Sequence, residues 1–151
     1  MNGITSITGA YSVRSPNTIM YGMGRTRELS QLVSENSYES AIIVTDATIR
    51  ELGVADPVEA ELESSGIEVA YFDGVKPEPK LSMVEECARI IRRGDYDFVI
   101  GLGGGSAMDT AKVASVLAVH DVPVRDLLGM GNVPGKGLDI VLVPTTAGTG
   151  S

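Results

Sequence analysis

The chain is short of the residues that build metal centres and catalytic triads. Its 151 residues include one cysteine, Cys87, and one histidine, His120. A single cysteine excludes an intrachain disulfide and is compatible with a reducing compartment. One His and one Cys argue against a complete transition-metal site, which gathers several such ligands. No Ser–His–Asp arrangement can be argued either. Basic residues are also scarce: 12 Lys and Arg stand against 20 Asp and Glu, a net charge of -8. That balance argues against nucleic acid, whose phosphate backbone needs a basic face. It says little about small anions, which are held by local groups. No apolar run approaches the length of a membrane span. Met1–Tyr11 has no basic stretch followed by an apolar run, so no secretory signal is visible and a cytoplasmic location is expected. Two phosphate-binding fingerprints are missing as well. Gly101, Gly103 and Ser106 give GxGxxS, and Gly22, Gly24 and Arg27 give GxGxxR, neither of which is GxGxxG. Gly131–Lys136 is one residue too short for a P-loop, and Gly137 stands where Ser or Thr belongs.

What is present is an alternation of short apolar strands and helices. Ala41–Thr45 is an apolar, β-branched run and reads as a buried strand. Asp56-Pro57 predicts a helix start, with Asp56 as N-cap and Pro57 at the first position, and Gly66 its end. Ile67–Phe72 is a second strand, followed by the loop Asp73–Lys80. Ser82-x-x-Glu85 predicts a capping box opening a helix to about Arg93, with Val84, Cys87, Ala88 and Ile91 on one face and Gly94 as its stop. Phe98–Gly101 is a third strand. Gly103-Gly104-Gly105 forms a tight loop, and Ser106-x-x-Asp109 predicts a second capping box on a helix to about Val119. That helix is apolar on nearly every side, so it is expected to be well buried. Asp139–Val143 is a further strand, ahead of the polar turn Thr145–Ser151. Strands apolar on both faces and alternating with helices imply a parallel sheet covered on both sides. Met1–Arg25 has a different composition, and Thr18–Tyr21 is expected to form a short strand or hairpin arm.

Three segments carry candidate chemistry. Gly103, Gly104 and Gly105 follow a strand and precede a helix with Ser106 at its expected N-cap. Glycines let backbone approach an anion, and a helix start offers unpaired N–H groups and the positive end of its dipole. The competing reading is a tight strand–helix turn that needs glycine only for packing. Asp46 lies at the C-terminal end of a strand, where open α/β sheets bind ligands. There it could accept bonds from ribose hydroxyls and repel a 2′-phosphate, favouring NAD over NADP. The competing reading is a helix N-cap or a solvated turn, and for Asp46 taken alone that reading wins. Thr145, Thr146 and Thr149 sit in a segment whose hydroxyls and glycine amides suit ribose or phosphate, against the alternative of a flexible polar turn. Lys112, one turn into the glycine-loop helix, either reaches a ligand or is solvated. Cys87 on a buried face reads as a core thiol.

GGGSAMDTAK at Gly103–Lys112 and PTTAGTGS at Pro144–Ser151 resemble the iron-containing (group III) alcohol dehydrogenases. VTD at Val44–Asp46 and PNTIMYGMGRTREL at Pro16–Leu29 are similar to the same family, and the match runs from about Pro16 to the last residue. The Gly-rich motif is shared with the wider superfamily that includes glycerol dehydrogenase and dehydroquinate synthase. The resemblance implies a Rossmann-like NAD-binding domain spanning 1–151, joined in the family to a helical domain that carries the metal ligands, one Asp and three His. It implies that Gly103, Gly104, Gly105 and Ser106 hold the pyrophosphate. Asp109 and Lys112 would support the loop and cofactor, Asp46 would take the adenosine ribose, and Thr145, Thr146 and Thr149 would line the other side. The family often reads PNPT after the second strand, whereas this chain has Pro77-Glu78-Pro79-Lys80.

The implied activity is NAD-dependent oxidation of a small alcohol, or reduction of an aldehyde or ketone, with Fe²⁺ or another divalent metal in the full-length enzyme. This chain alone is expected to be inactive, with no catalytic residue or metal ligand assigned. An exposed apolar surface where the partner domain would pack is expected to make it a homo-oligomer. The alternatives are a non-catalytic nucleotide-binding module, a glycerol-dehydrogenase-like or dehydroquinate-synthase-like cofactor domain, and a structural fragment that binds nothing.

Overall fold

The computed structural model describes residues 18–147. A 3-10 turn at Arg25–Glu28 runs into α1 (Leu29–Asn36), and β1 (Ser40–Val44) follows. Next come α2 (Ala47–Glu51), α3 (Asp56–Ser64), β2 (Glu68–Phe72), α4 (Leu81–Gly94), β3 (Phe98–Gly103), α5 (Gly105–Val119) and β4 (Asp139–Pro144). The four strands form one sheet in the order β2-β1-β3-β4, and every pairing is parallel.

Strand alternation divides the core into two layers. Ala41 and Ile43 of β1, with Phe98, Ile100 and Leu102 of β3, pack on α1 and α3 through Leu29, Val33, Val58 and Leu62. Ile42, Val44 and Val99 face the other way, onto Val84, Cys87 and Ile91 of α4 and Ala107, Ala111 and Ala114 of α5. Right-handed crossovers require this distribution. The step from β1 to β2 runs one way along the sheet and puts α3 on one face. The steps from β2 to β3 and β3 to β4 run the other way and put α4 and α5 on the opposite face. The expected parallel sheet with helices on both sides is therefore present. So are the buried faces of α4 and α5.

Several local expectations are corrected. Neither capping box forms: α4 starts at Leu81 behind an extended Lys80, α5 starts at Gly105 behind an extended Gly104, and neither start has a side-chain cap. Ser82 and Ser106 thus fall inside the first turn, where their hydroxyls cannot reach back over the amides an N-cap covers. In α4 the earlier start brings Leu81 onto the core. Asp56 is the first residue of α3 behind Ala55, not its cap, which moves Pro57 one place inward. Gly94 does not end α4 by its own conformation. It closes the helix, and Asp95 takes the left-handed position at φ 53°. The missing Cβ at Gly94 leaves room for the Tyr96 ring, which would have to shift for any larger residue. Two helices had no expectation in the sequence. In α1 only Leu29 and Val33 are buried, too few to make a period, and α2 is a single turn and a half. Thr18–Tyr21 is not a strand: Ile19, Met20 and Tyr21 are exposed, and no strand among the described residues pairs with them. The rest of the expected arm, Met1–Asn17, lies outside the described residues.

The opposite edge of the sheet is tied by carboxylates. Asp97 accepts from the amides of Glu39 and Ser40, each at 2.8 Å, and from the Ser40 hydroxyl at 3.1 Å. Arg92 of α4 reaches the end of α5, donating to the carbonyls of Ala118 at 3.0 Å and His120 at 3.2 Å as well as to Leu117. A guanidinium there satisfies carbonyls that the helix end leaves open.

Candidate functional site

The sheet order reverses between β1 and β3, since the chain leaves β1 toward one edge and β3 toward the other. A crevice at the C-terminal ends of such strands is where open α/β sheets take ligands. Gly103 ends β3 in that crevice with φ +145°, a conformation L side chains rarely adopt. A Cβ on it would lie 2.9 Å from the Cβ of Ala107 and 3.8 Å from Asp46 Oδ2. Two residues back, a Cβ on Gly101 would meet Ala111 Cβ at 2.8 Å and Leu142 Cδ2 at 2.9 Å. These glycines let α5 lie directly against β3 and point its first turn into the crevice.

The first turn of α5 is open. Ala107 and Met108 both donate to the Gly104 carbonyl, at 3.1 Å each. The amides of Gly105 and Ser106 precede them at the positive end of the helix dipole, where intrahelical acceptors do not exist. Because no side chain caps this end and Gly104 and Gly105 carry no Cβ, the backbone N–H groups here suit an oxyanion.

Asp46 comes to the same place from β1. It is the N-cap of α2, as one sequence reading allowed, and its Oδ1 accepts from the Ile49 amide at 3.0 Å. Its Oδ2 lies toward the place a Gly103 Cβ would take, so the oxygen that faces the glycine loop is not the one that caps α2. From β4, the Thr145 amide donates to the Gly103 carbonyl at 2.9 Å, and Thr146 Oγ1 lies 3.4 Å from where a Gly104 Cβ would be. Asp46, Gly103, Gly104 and the Thr145–Thr146 pair, distant in sequence, thus form one patch, with Gly105 and Ser106 half-buried beside it. Thr149 lies outside the described residues. Asp109 and Lys112 form an i,i+3 pair on α5, Nζ to Oδ1 3.1 Å, with Asp109 exposed and Lys112 half-buried.

Sequence reasoning missed the surroundings of Asp46. An antiparallel bridge joins it to Gly74, just past β2. Beside Gly74, Asp73 Oδ2 accepts from Arg50 Nη1 at 2.7 Å, and the Arg50 guanidinium lies 4.2 Å over the Tyr71 ring. The Tyr71 hydroxyl donates to Glu59 at 3.0 Å. Burial first, and then that bond, raise it above the ordinary tyrosine value, so it stays a neutral donor. Arg50 carried no signal in the sequence, because only pairing of β1 with β2 brings it to Asp73. Thr45 and Thr110 were also missed: both are fully buried, and neither hydroxyl has a partner among the described residues.

Other reactive groups lie away from this edge. Cys87 is in the core, where burial pushes its thiol up to about 12. His120 ends α5 at the opposite edge of the sheet, its Nε2 3.0 Å from the Lys136 carbonyl. No group of three His, Cys, Asp or Glu residues among the described residues is placed to hold a metal. None of the helices among the described residues is long and apolar enough to cross a membrane.

The family model for iron-containing alcohol dehydrogenase matches residues 16–151. The chain belongs to this family. Among curated relatives, it is 41% identical over 133 residues to long-chain-alcohol dehydrogenase 1 of Geobacillus thermodenitrificans, covering 86% of this chain and 34% of that protein. It is 37% identical to sulfoacetaldehyde reductase of Bilophila wadsworthia, covering 88% of this chain and 34% of that protein. Among solved structures, sulfoacetaldehyde reductase from Bifidobacterium kashiwanohense in complex with NAD⁺ superposes with TM-score 0.80 and 33% identity, over 93% of this chain and 37% of that one. Alcohol dehydrogenase from Oenococcus oeni gives TM-score 0.85 at 29% identity, over 93% of this chain and 37% of that one. The chain spans about a third of the length of the curated relatives it matches.

Proposed function

We propose that this chain is the cofactor-binding region of a nicotinamide-dependent alcohol dehydrogenase and that its cofactor is NAD. The observation that carries the reading is the meeting of Gly103 and Asp46: a left-handed, side-chain-free loop at a helix start, with a carboxylate oxygen beside it. In this reading the amides of Gly105 and Ser106 bind the pyrophosphate, and Gly103 and Gly104 let it approach the backbone. Asp46 Oδ2 accepts from the adenosine ribose hydroxyls and repels a 2′-phosphate, which selects against NADP. Thr145, Thr146 and Thr149 line the other side. Asp109 and Lys112 act one step removed, keeping the first turns of α5 in place. A bound nicotinamide supplies the hydride acceptor, while this chain's residues bind and orient it.

The relatives' names point to an alcohol or aldehyde as substrate in a protein of their length. The described residues do not form a metal site, so no step on this chain is assigned to Fe²⁺ or another divalent ion. In the same reading the 151 residues act as one dinucleotide-binding domain, self-associate, reside in the cytoplasm, and turn over no alcohol by themselves.

Calorimetric titration with NAD⁺ and NADP⁺ tests this on the parent chain and on Asp46→Gly. The expected result is binding of NAD⁺, weaker binding of NADP⁺, and loss of that difference in the variant. Absence of binding by both nucleotides at about millimolar concentration, the weak end of the affinity scale, would overturn the proposal.

A further inference from the structure

The group around Arg50 bears on cofactor choice, and its role rests on the NAD reading of the Asp46 site. Arg50 lies one helical turn after Asp46, its amide bonded to the Asp46 carbonyl at 3.2 Å. It therefore stands on the adenosine side of the proposed site. Its guanidinium is not free. Asp73 holds one edge at 2.7 Å, and the Tyr71 ring lies under its plane at 4.2 Å. Tyr71 is in turn held by Glu59. Asp73 is fixed next to Gly74, whose backbone bridges Asp46. Two acidic residues and one arginine thus share the strand ends of β1 and β2.

We infer that Arg50 is a masked 2′-phosphate group, and that Asp73 is the positioning residue that keeps it masked. Arginine suits this role, because its planar fork meets a phosphate with two parallel bonds and stacks on an aromatic ring at the same time. Two devices then set cofactor choice. Asp46 repels the 2′-phosphate directly. Asp73 occupies the cation that would otherwise attract it. The pair is half exposed, with side-chain exposures of 49% and 46%, so its hold on Arg50 is modest and can be undone by one substitution. A purely structural pair tying α2 to β2 would make a different prediction: breaking it would weaken both nucleotides together.

The test is titration of NAD⁺ and NADP⁺ into Asp46→Gly, Asp46→Gly/Asp73→Asn and Asp46→Gly/Asp73→Asn/Arg50→Ala, each checked by circular dichroism and thermal midpoint. Asp73→Asn is expected to tighten NADP⁺ about three- to tenfold, leaving NAD⁺ within about twofold, as release of an exposed ion pair allows. Adding Arg50→Ala to the Asp73→Asn variant is expected to remove that gain in NADP⁺ affinity with little effect on NAD⁺, because the unmasked charge-assisted contact is lost. NADP⁺ affinity that ignores both substitutions, or moves in step with NAD⁺, overturns the inference. If the parent chain binds NAD⁺, that failure leaves the underlying function standing. If the parent binds neither nucleotide, both fall.

Discussion

The Tyr38 hydroxyl donates to Asp139 at 2.7 Å, joining the segment before β1 to the first residue of β4 across 101 positions of sequence. Tyr38 also stacks on Phe98 at the start of β3, ring centroids 4.7 Å apart. One side chain thereby sets the lower edge of three strands.

That edge has a defined pH dependence. The Lys136 ammonium first, then the Tyr38 hydroxyl, hold the Asp139 carboxyl below the ordinary carboxylate range. The Glu39 amide, followed by the amide and hydroxyl of Ser40, does the same for Asp97. A depressed folded pKa contributes stability that is complete above the unfolded value and is lost as pH falls through the folded one. Asp97→Asn should therefore lower the urea midpoint at neutral pH, and its deficit against the parent should shrink below about pH 4. A deficit that is constant down to about pH 3 would refute the linkage. Tyr38 is raised above its ordinary value, chiefly by burial and then by Asp139, so its contribution runs the other way. It is present below about pH 10 and is lost above it. Tyr38→Phe should cost about 1 kcal/mol near neutrality and flatten the alkaline limb.

Alanine scanning of three glycines separates packing from conformation. Gly101→Ala puts a methyl into contact with Ala111 and Leu142 at an extended residue, a pure overpacking expected to cost about 1–3 kcal/mol. Gly103→Ala adds a positive φ to a clash with Ala107 and should cost about 2–4 kcal/mol. It should also abolish NAD⁺ binding. Gly66 has φ +81° and nothing within 4 Å of its Cβ, so Gly66→Ala reports backbone strain alone, about 1 kcal/mol. Urea midpoints for the three variants rank them. If Gly103→Ala costs no more than Gly66→Ala, the close approach of α5 contributes nothing.

Glu78 offers a gain. It occupies the left-handed region at φ 53° in the loop after β2. Asn tolerates this region because its short amide bonds locally, whereas a longer side chain pays the steric cost. Glu78→Asn is expected to stabilise the chain by about 0.5–1 kcal/mol. A thermal midpoint at or below the parent's would contradict the assignment of strain to this residue.

The sheet and its helices were legible because burial on two faces leaves a local trace. The run Ala41–Thr45 is apolar whichever way each residue points, and Val84, Cys87, Ala88 and Ile91 repeat at helical spacing. The glycine loop was legible for the same reason, as three glycines between a strand and a helix are a local fact. Helix starts were misread by a residue or more. Ser82-x-x-Glu85 and Ser106-x-x-Asp109 have the composition of capping boxes. Packing of Leu81 and the turn allowed by Gly103 nevertheless set the helices going earlier.

By itself, the sequence determined the class of fold, the glycine loop and the strand-end position of Asp46, since each depends on neighbours in the chain. Only the tertiary structure decided that the Asp46 oxygen not used to cap α2 turns toward Gly103. It alone brought Thr145 and Thr146 against the same loop and set Arg50 between Asp73 and Tyr71. Those contacts join segments that lie far apart in the chain and meet only at the ends of different strands. Their existence depends on the order β2-β1-β3-β4 and its register, which no local pattern of residues encodes.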